Sequence, residues 1–408
     1  METGPLRIAF ATPEYVTERY FDGGIANYTH RVAKALAGLG HDVHVVTLSE
    51  VDGAEFVHEG VFVRRVKVGG LHQTFNLLTL RRLTTAGRFL DLSLNVYRAL
   101  RRLHARAPLR LVQFPNYGLC GLVSMRRLGV PHVLRVSAYE PALNEAAGVK
   151  PSPDTRAVER LERLQFRLSP HVHVPSRALQ RTLAERAGLK DVRVNRSPFY
   201  VETDEWDESV YKKFLEGRDY LLFFGRFQLH KGFHTLAEAL PRFLARFPGA
   251  HAALVGRDVG TALAPSMAGY ARALCGPAAD RLVVLDRLPH AQLYPLIAGA
   301  RLAVLPSLVD NFPNACLEAF GLGRPVVGTL GTSLDELITE GETGFLVPPD
   351  DPRALAEALA RAWTHPGLGR MGEAARRKVE EFAPGRTIPA LLDYYREVLR
   401  AANDKKAL

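Results

Sequence analysis

The apolar positions of this chain change period from stretch to stretch, and those changes mark its elements. Residues 6–11 form a short run that is apolar except for Arg7, as a buried strand does. Beyond a polar loop holding Asp22, Gly23 and Gly24, the residues Ile25, Tyr28, Val32, Leu36 and Leu39 recur every three or four positions. That spacing is one face of a helix. Gly40 suits the position just past its end, and residues 43–48 read as the next strand. Strand, glycine loop, helix, strand is how a doubly wound parallel sheet opens. Apolar runs at 62–68, 109–114, 132–136 and 172–174 extend the sheet, and an amphipathic stretch at 89–103 supplies a covering helix.

The pattern then breaks and restarts. Residues 202–219 hold seven acids against three bases, which places a domain boundary at residues 203 and 204. A second set of elements follows: strands at 220–224, 252–255, 282–285, 302–305 and 325–328, and helices at 233–247 and 351–363. A last helix, 387–401, carries Leu391, Leu392, Tyr395, Val398 and Leu399 on one stripe. The expected class is α/β, with two Rossmann-like domains and a cleft between their facing carboxyl edges.

Composition narrows the class. With 408 residues, 47% hydrophobic and 24% charged, the chain has the make-up of a globular enzyme of two domains. No apolar stretch reaches the 18 or so residues of a membrane span, and residues 6–11 are too short for a secretory leader, so a cytoplasmic protein is expected. Cys120, Cys275 and Cys316 lie far apart and are read as reduced, buried thiols. The formal charge is +10, and between Arg64 and Arg110 eleven Lys and Arg face one acid, Asp91. Such a patch attracts anionic head groups, nucleic acid or acidic substrates; an exposed Arg-rich helix is the plain alternative.

Candidate chemistry lies in the second half. Asp310 follows the strand at 302–305, and Glu318 sits eight residues on, in a helix-compatible segment that leads to Gly323 and the next strand. Ligands bind at the carboxyl ends of parallel strands, and carboxylates there suit sugar hydroxyls, accepting charge-assisted bonds. Gly225-Arg226-Phe227 and Lys231-Gly232 follow a strand and open a helix, so two cations five residues apart are placed to bracket a diphosphate. Val255-Gly256-Arg257-Asp258 repeats the strand-to-glycine step.

These elements, taken in order, resemble the family 4 retaining glycosyltransferases of the GT-B fold. The family's signature of an acid, seven residues and Glu reads here from Asp310 to Glu318. Pro306-Ser307 before it, Gly323-Arg324-Pro325-Val326-Val327 after it and Thr343-Gly344-Phe345-Leu346-Val347-Pro348-Pro349 match in sequence. Residues 23–47 are similar to the family's opening segment. The resemblance implies an acceptor-binding domain at 1–203, a nucleotide-sugar-binding domain at 204–385, and a final helix at 386–408 crossing back to the first domain. It also assigns roles. Arg226 and Lys231 neutralise the leaving diphosphate, Glu318 holds the ribose, and Asp310 binds donor-sugar hydroxyls with the backbone N–H groups of Asn311, Phe312 and Asn314. Gly23 and Gly24 let the N-terminal loop approach the phosphates, and Gly225, Gly256, Arg257 and Leu288 complete the donor contacts.

Two positions depart from the family pattern. Asp310 stands where Glu is usual, one methylene shorter. Ser137, in Leu134-Arg135-Val136-Ser137-Ala138-Tyr139-Glu140, stands where relatives carry a His at a strand end. No Asp-x-Asp pair occurs, so no metal clamp is expected; the Arg and Lys take that part. His171 and His173 are read as structural, His30 and His41 as surface residues, and His230 as a neighbour of Lys231. The expected co-substrate is a UDP- or GDP-linked sugar, with no cofactor and no nucleic acid. The acceptor is either a lipid-linked or anionic glycan, reached by peripheral membrane contact through the basic region, or a small molecule. The rival readings are a sugar-nucleotide 2-epimerase and a degenerate nucleotide-sugar-binding scaffold.

Overall fold

The computed structural model describes residues 4–18, 23–201 and 205–407; Asp22 and the expected boundary at 203 and 204 lie outside the described residues. The chain divides into two compact units, Met1–Pro141 with Lys150–Pro198 and Pro384–Leu408, and Ala142–Val149 with Phe199–Ala383. The first unit therefore ends its long run at Pro198, ahead of the acidic stretch. Phe199 is already buried in the core of the second, so an apolar anchor sets the change of unit and the acids merely follow it.

In the first unit eight strands form one sheet: β1 (Arg7–Thr12), β2 (Asp42–Leu48), β3 (Glu55–His58), β4 (Val61–Val66), β5 (Leu111–Pro115), β6 (His132–Arg135), β7 (Val172–Val174) and β8 (Val192–Val194). Their order is β3-β4-β2-β1-β5-β6-β7-β8, parallel except for the β3–β4 hairpin. The edge strands β3 and β8 escape the apolar pattern, because an edge buries few side chains and neither has a continuous apolar run. Its helices include α1 (Gly24–Gly38), α2 (Leu71–Leu78) and α3 (Thr84–Arg106). The helix Pro384–Ala407 belongs to this unit and buries Ile388, Leu391, Leu392, Tyr395 and Val398 with Leu6, Ile8, Phe10 and Val32.

The second unit holds six parallel strands: β9 (Asp219–Phe224), β10 (Ala250–Val255), β11 (Leu282–Leu285), β12 (Leu302–Leu305), β13 (Val326–Thr329) and β14 (Gly344–Val347). They run in the order β11-β10-β9-β12-β13-β14. Near-continuous apolar strands such as Tyr220 to Phe224 are buried on both faces, and an apolar core lies on each side of the sheet. The direction of winding reverses at β1 and β5 in one sheet and at β9 and β12 in the other, which opens a crevice at the carboxyl ends of those strands.

The loop after β9 lies close against the exit of β12 at Gly232. Gly232 has φ +66°, and a Cβ placed on it would stand 1.7 Å from the Pro306 carbonyl oxygen. Gly232→Ala is therefore expected to cost at least about 2 kcal/mol, from left-handed backbone strain plus the clash. Gly24, at negative φ with no atom within 4 Å of an added Cβ, is the comparison: Gly24→Ala is expected to change stability by less than about 0.5 kcal/mol. Urea midpoints of the two variants check this, and equal midpoints would show that the Pro306 contact does not constrain Gly232.

Candidate functional site

The site is assembled from the loops that leave β9 and β12. After β9 the chain passes through Gly225 (φ +143°), Arg226 and Phe227, then a short turn of helix, Leu229–Lys231, and Gly232 into the helix Phe233–Arg246. Phe227 is buried and stacks on Phe233 with centroids 4.3 Å apart, which anchors the loop from below. Arg226 is exposed. The His230 carbonyl accepts the N–H groups of Leu308 and Val309, at 2.9 and 3.3 Å, joining this loop to the one after β12.

That junction brings Lys231 to Asp310. The Lys231 ammonium lies 2.9 Å from Asp310 Oδ2, and the Ser307 hydroxyl donates to the same oxygen at 3.3 Å. Asp310 is the more enclosed partner, its side chain 9% exposed against 35% for Lys231. So the shortened acid does not dangle: it is the carboxylate that holds the cation in place. Ser307 contributes to this holding, a role its position before the acid only hinted at.

The helix Asn314–Gly321 carries Glu318, buried, with His290 Nε2 3.7 Å from its Oε1. His290 stacks on Tyr294 one turn along its own helix, centroids 5.0 Å apart. Nothing in the sequence pattern singled out His290. Leu288, just upstream, is half-buried against the same core. Asn311 and Phe312 lie in the turn before the helix, but the Asn314 N–H donates to the Phe312 carbonyl at 3.0 Å, so that amide is engaged within the turn. Gly256 (φ +147°) meets Gly225 closely, and Arg257 is exposed beside it. Asp258 takes no part: its carboxylate accepts from Ser266, Met267 and Ala268 at 2.7 to 3.0 Å and caps a helix.

In the first unit, Gly23 (φ +98°) precedes α1 and Gly24 begins it, both with open space around the α-carbon. Ser137 follows β6. Its N–H donates to Asn116 Oδ1 at 3.0 Å and its hydroxyl accepts from the Arg135 guanidinium. Arg135 is buried, lies 3.5 Å over the Tyr28 ring, and also donates to the Ser197 hydroxyl at 2.9 Å. Two histidines expected at the surface have partners within the fold: His41 accepts the Leu6 N–H at 2.9 Å, and His30 is half-buried with its Nε2 3.0 Å from Glu59 Oε2. His173 is buried against Gln113, and all three cysteines are free and buried.

The comparisons with known proteins bear on the family and the fold. Residues 218–365 match the family model described as glycosyl transferases group 1, and residues 23–198 match a glycosyl transferase 4-like domain. The chain is 26% identical over 374 residues to a glycogen synthase of Mycobacterium tuberculosis, covering 88% of this chain and 86% of that protein. In fold it is similar to sucrose-phosphate synthase from Thermosynechococcus elongatus, with TM-score 0.77, 20% identity and 97% and 100% of the two chains covered. It is likewise similar to Anabaena HepE in complex with UDP and glucose, with TM-score 0.69, 17% identity and 95% and 98% covered.

The site's acid response rests on His230. Burial, then Lys231, hold its imidazole down to about 4, with Asp310 opposing them. The unfolded chain takes up that proton at the ordinary value of about 6.5. Because the folded chain resists protonation until about pH 4, this stability is complete above pH 6.5 and is lost as pH falls toward 4. A His230→Gln variant is expected to lose less stability than the wild type between pH 7 and pH 4.5, measured by urea unfolding. Parallel losses would show that another group carries the effect.

Proposed function

The chain belongs to the family 4 glycosyltransferases of the GT-B fold, and we propose that it moves a sugar from a nucleoside-diphosphate donor to a hydroxyl acceptor, retaining the anomeric configuration and using no metal. The observation that carries this reading is the Lys231–Asp310 pair at the crevice where β9 and β12 part, with Arg226 on the same loop. HepE, solved with UDP and glucose, supports a UDP-linked sugar ahead of a GDP-linked one.

The roles follow from the contacts. Lys231 and Arg226 face the diphosphate, where negative charge grows as the bond from the anomeric carbon to phosphate oxygen breaks. Each such contact is worth about 2–4 kcal/mol in the transition state. With Asp310 Oδ2 engaged by Lys231 and Ser307, Oδ1 is the oxygen that takes a donor-sugar hydroxyl. Glu318, buried and near His290, takes the ribose hydroxyls. Ser137 accepts from Arg135, which leaves its own hydroxyl hydrogen to be donated. The acceptor oxygen bonds to the anomeric carbon on the face the phosphate leaves, and its proton passes to the departing phosphate oxygen. No protein nucleophile is required.

Donor turnover tests this, as hydrolysis or as transfer to a screened acceptor, with the product anomer read by NMR. Lys231→Ala is expected to lower kcat by about 10²–10³-fold. Activity is expected to persist in excess EDTA. An inverted product, or loss in EDTA restored by Mg²⁺, would overturn the mechanism. Donor binding without any turnover would favour a binding protein.

A further inference from the structure

We propose that the turn joining α2 to α3 docks on an anionic phospholipid bilayer, its leucines entering the acyl boundary and its arginines meeting the phosphates. No residue of α2 is buried. The helix is nevertheless held in one orientation. Phe75 packs at Gly87 of α3, where an added Cβ would meet the ring at 2.5 Å, and the His72 ring and backbone N–H both reach Asp91, at 3.2 and 3.1 Å. With Phe75 and His72 turned to α3, Leu77 and Leu78 face solvent, 71% and 79% exposed, and Leu80 joins them at 78%. Leu80 and Arg81 have φ +48° and +58°, an uncommon conformation for such side chains, so the turn that projects them is itself strained.

Within residues 64–110 the exposed charge is one-sided. Asp154, which packs on the start of α3 from elsewhere in the chain, is taken up by the Thr84 hydroxyl and the Thr85 and Ala86 N–H groups at 2.9 to 3.2 Å. Arg81 and Arg82 follow Leu80 directly and are exposed, with Arg88 exposed at the start of α3. Asp91, the single acid between Arg64 and Arg110, is buried and hydrogen-bonded to His72 and Asn95, so this segment shows solvent no carboxylate. Arg64 and Arg106 pair with Glu55, and Arg65 with Glu18, which removes them from the free positive surface.

Apolar tips with cations at their base match the two layers of an anionic membrane surface. A second copy of this chain would bring arginine against arginine. A protein partner needs about 800 Å² from each side, more than three leucine tips supply. A bilayer needs only a few inserted side chains with phosphate contact. The inference deepens the proposed function: taking the chain as a transferase, its acceptor hydroxyl belongs to a lipid-linked molecule. The docking itself can be tested independently of that premise.

The test is co-sedimentation with vesicles of phosphatidylglycerol and phosphatidylcholine, against phosphatidylcholine alone, at low and at about 0.5 M salt. Binding is expected to the anionic vesicles only and to fall with salt. Leu77→Ser with Leu78→Ser, and separately Arg81→Glu with Arg82→Glu, are each expected to weaken it about tenfold or more. Thermal midpoints should stay at the wild-type value, since these side chains are exposed. No binding, equal binding to neutral vesicles, undiminished binding by both variants, or a dimer in solution that the leucine variant dissociates would each overturn the docking. Donor turnover measured in parallel separates the two ideas. An inactive protein that binds vesicles defeats the transferase reading alone, and an active one that ignores them defeats the docking alone.

Discussion

The second unit depends on how closely the loop after β9 can lie against the exit of β12. Gly232 has no side chain, and the Pro306 carbonyl occupies the space one would need. That approach allows the His230 carbonyl to take two amides from the facing loop, and it sets Lys231 within hydrogen-bond reach of Asp310. Neither charged residue could find the other by chain proximity, since 79 positions separate them. The ion pair is thus a product of sheet order. β9 and β12 are neighbours because β10 and β11 wind away to the other side.

From this contact the shortened acid acquires a physical reading. A carboxylate with one methylene less is a disadvantage if its only task is to reach a sugar. It is no disadvantage if it also steadies a lysine whose own four-carbon stem covers the distance. An exposed ion pair contributes little to stability, and this one is 35% exposed on the lysine side. Under the proposed function its value is to pre-orient a cation toward a developing charge, which avoids reorganisation at the moment of bond breaking.

Most of the architecture was legible because buried parallel strands need apolar runs, and the runs at 220–224 and 302–305 became β9 and β12 with little shift at their ends. Gly40 was placed by the same logic and lies at φ +85° just past α1. What escaped were features with no local signature. The edge strands β3 and β8 bury too little to show a pattern. His290 reaches Glu318 only through packing of two helices, and the Asn314 amide turns to the Phe312 carbonyl through a turn that residue types alone do not specify. The change of unit at Pro198 was displaced onto the acidic segment because charge is more visible in a sequence than one buried Phe199.

Ser137 shows how an unexpected residue can be explained from beneath. Where a ring was anticipated there is a hydroxyl, and it rests on Arg135, a buried guanidinium whose described partners are two serine hydroxyls and the face of Tyr28. Its Nε has no hydrogen-bond partner among the described residues. Burying a cation this way is costly unless its hydrogen-bonding capacity is used. Around it Gln113 bonds Tyr28, His173 and Tyr395, at 3.3, 3.1 and 2.6 Å, so the floor under β5 and β6 is polar where a core would ordinarily be apolar. A network of that kind keeps its members in one arrangement, since breaking any bond strands a buried donor or acceptor. Ser137 is therefore held from two directions, its N–H by Asn116 and its oxygen by Arg135, and the one freedom left to it is the direction in which it donates.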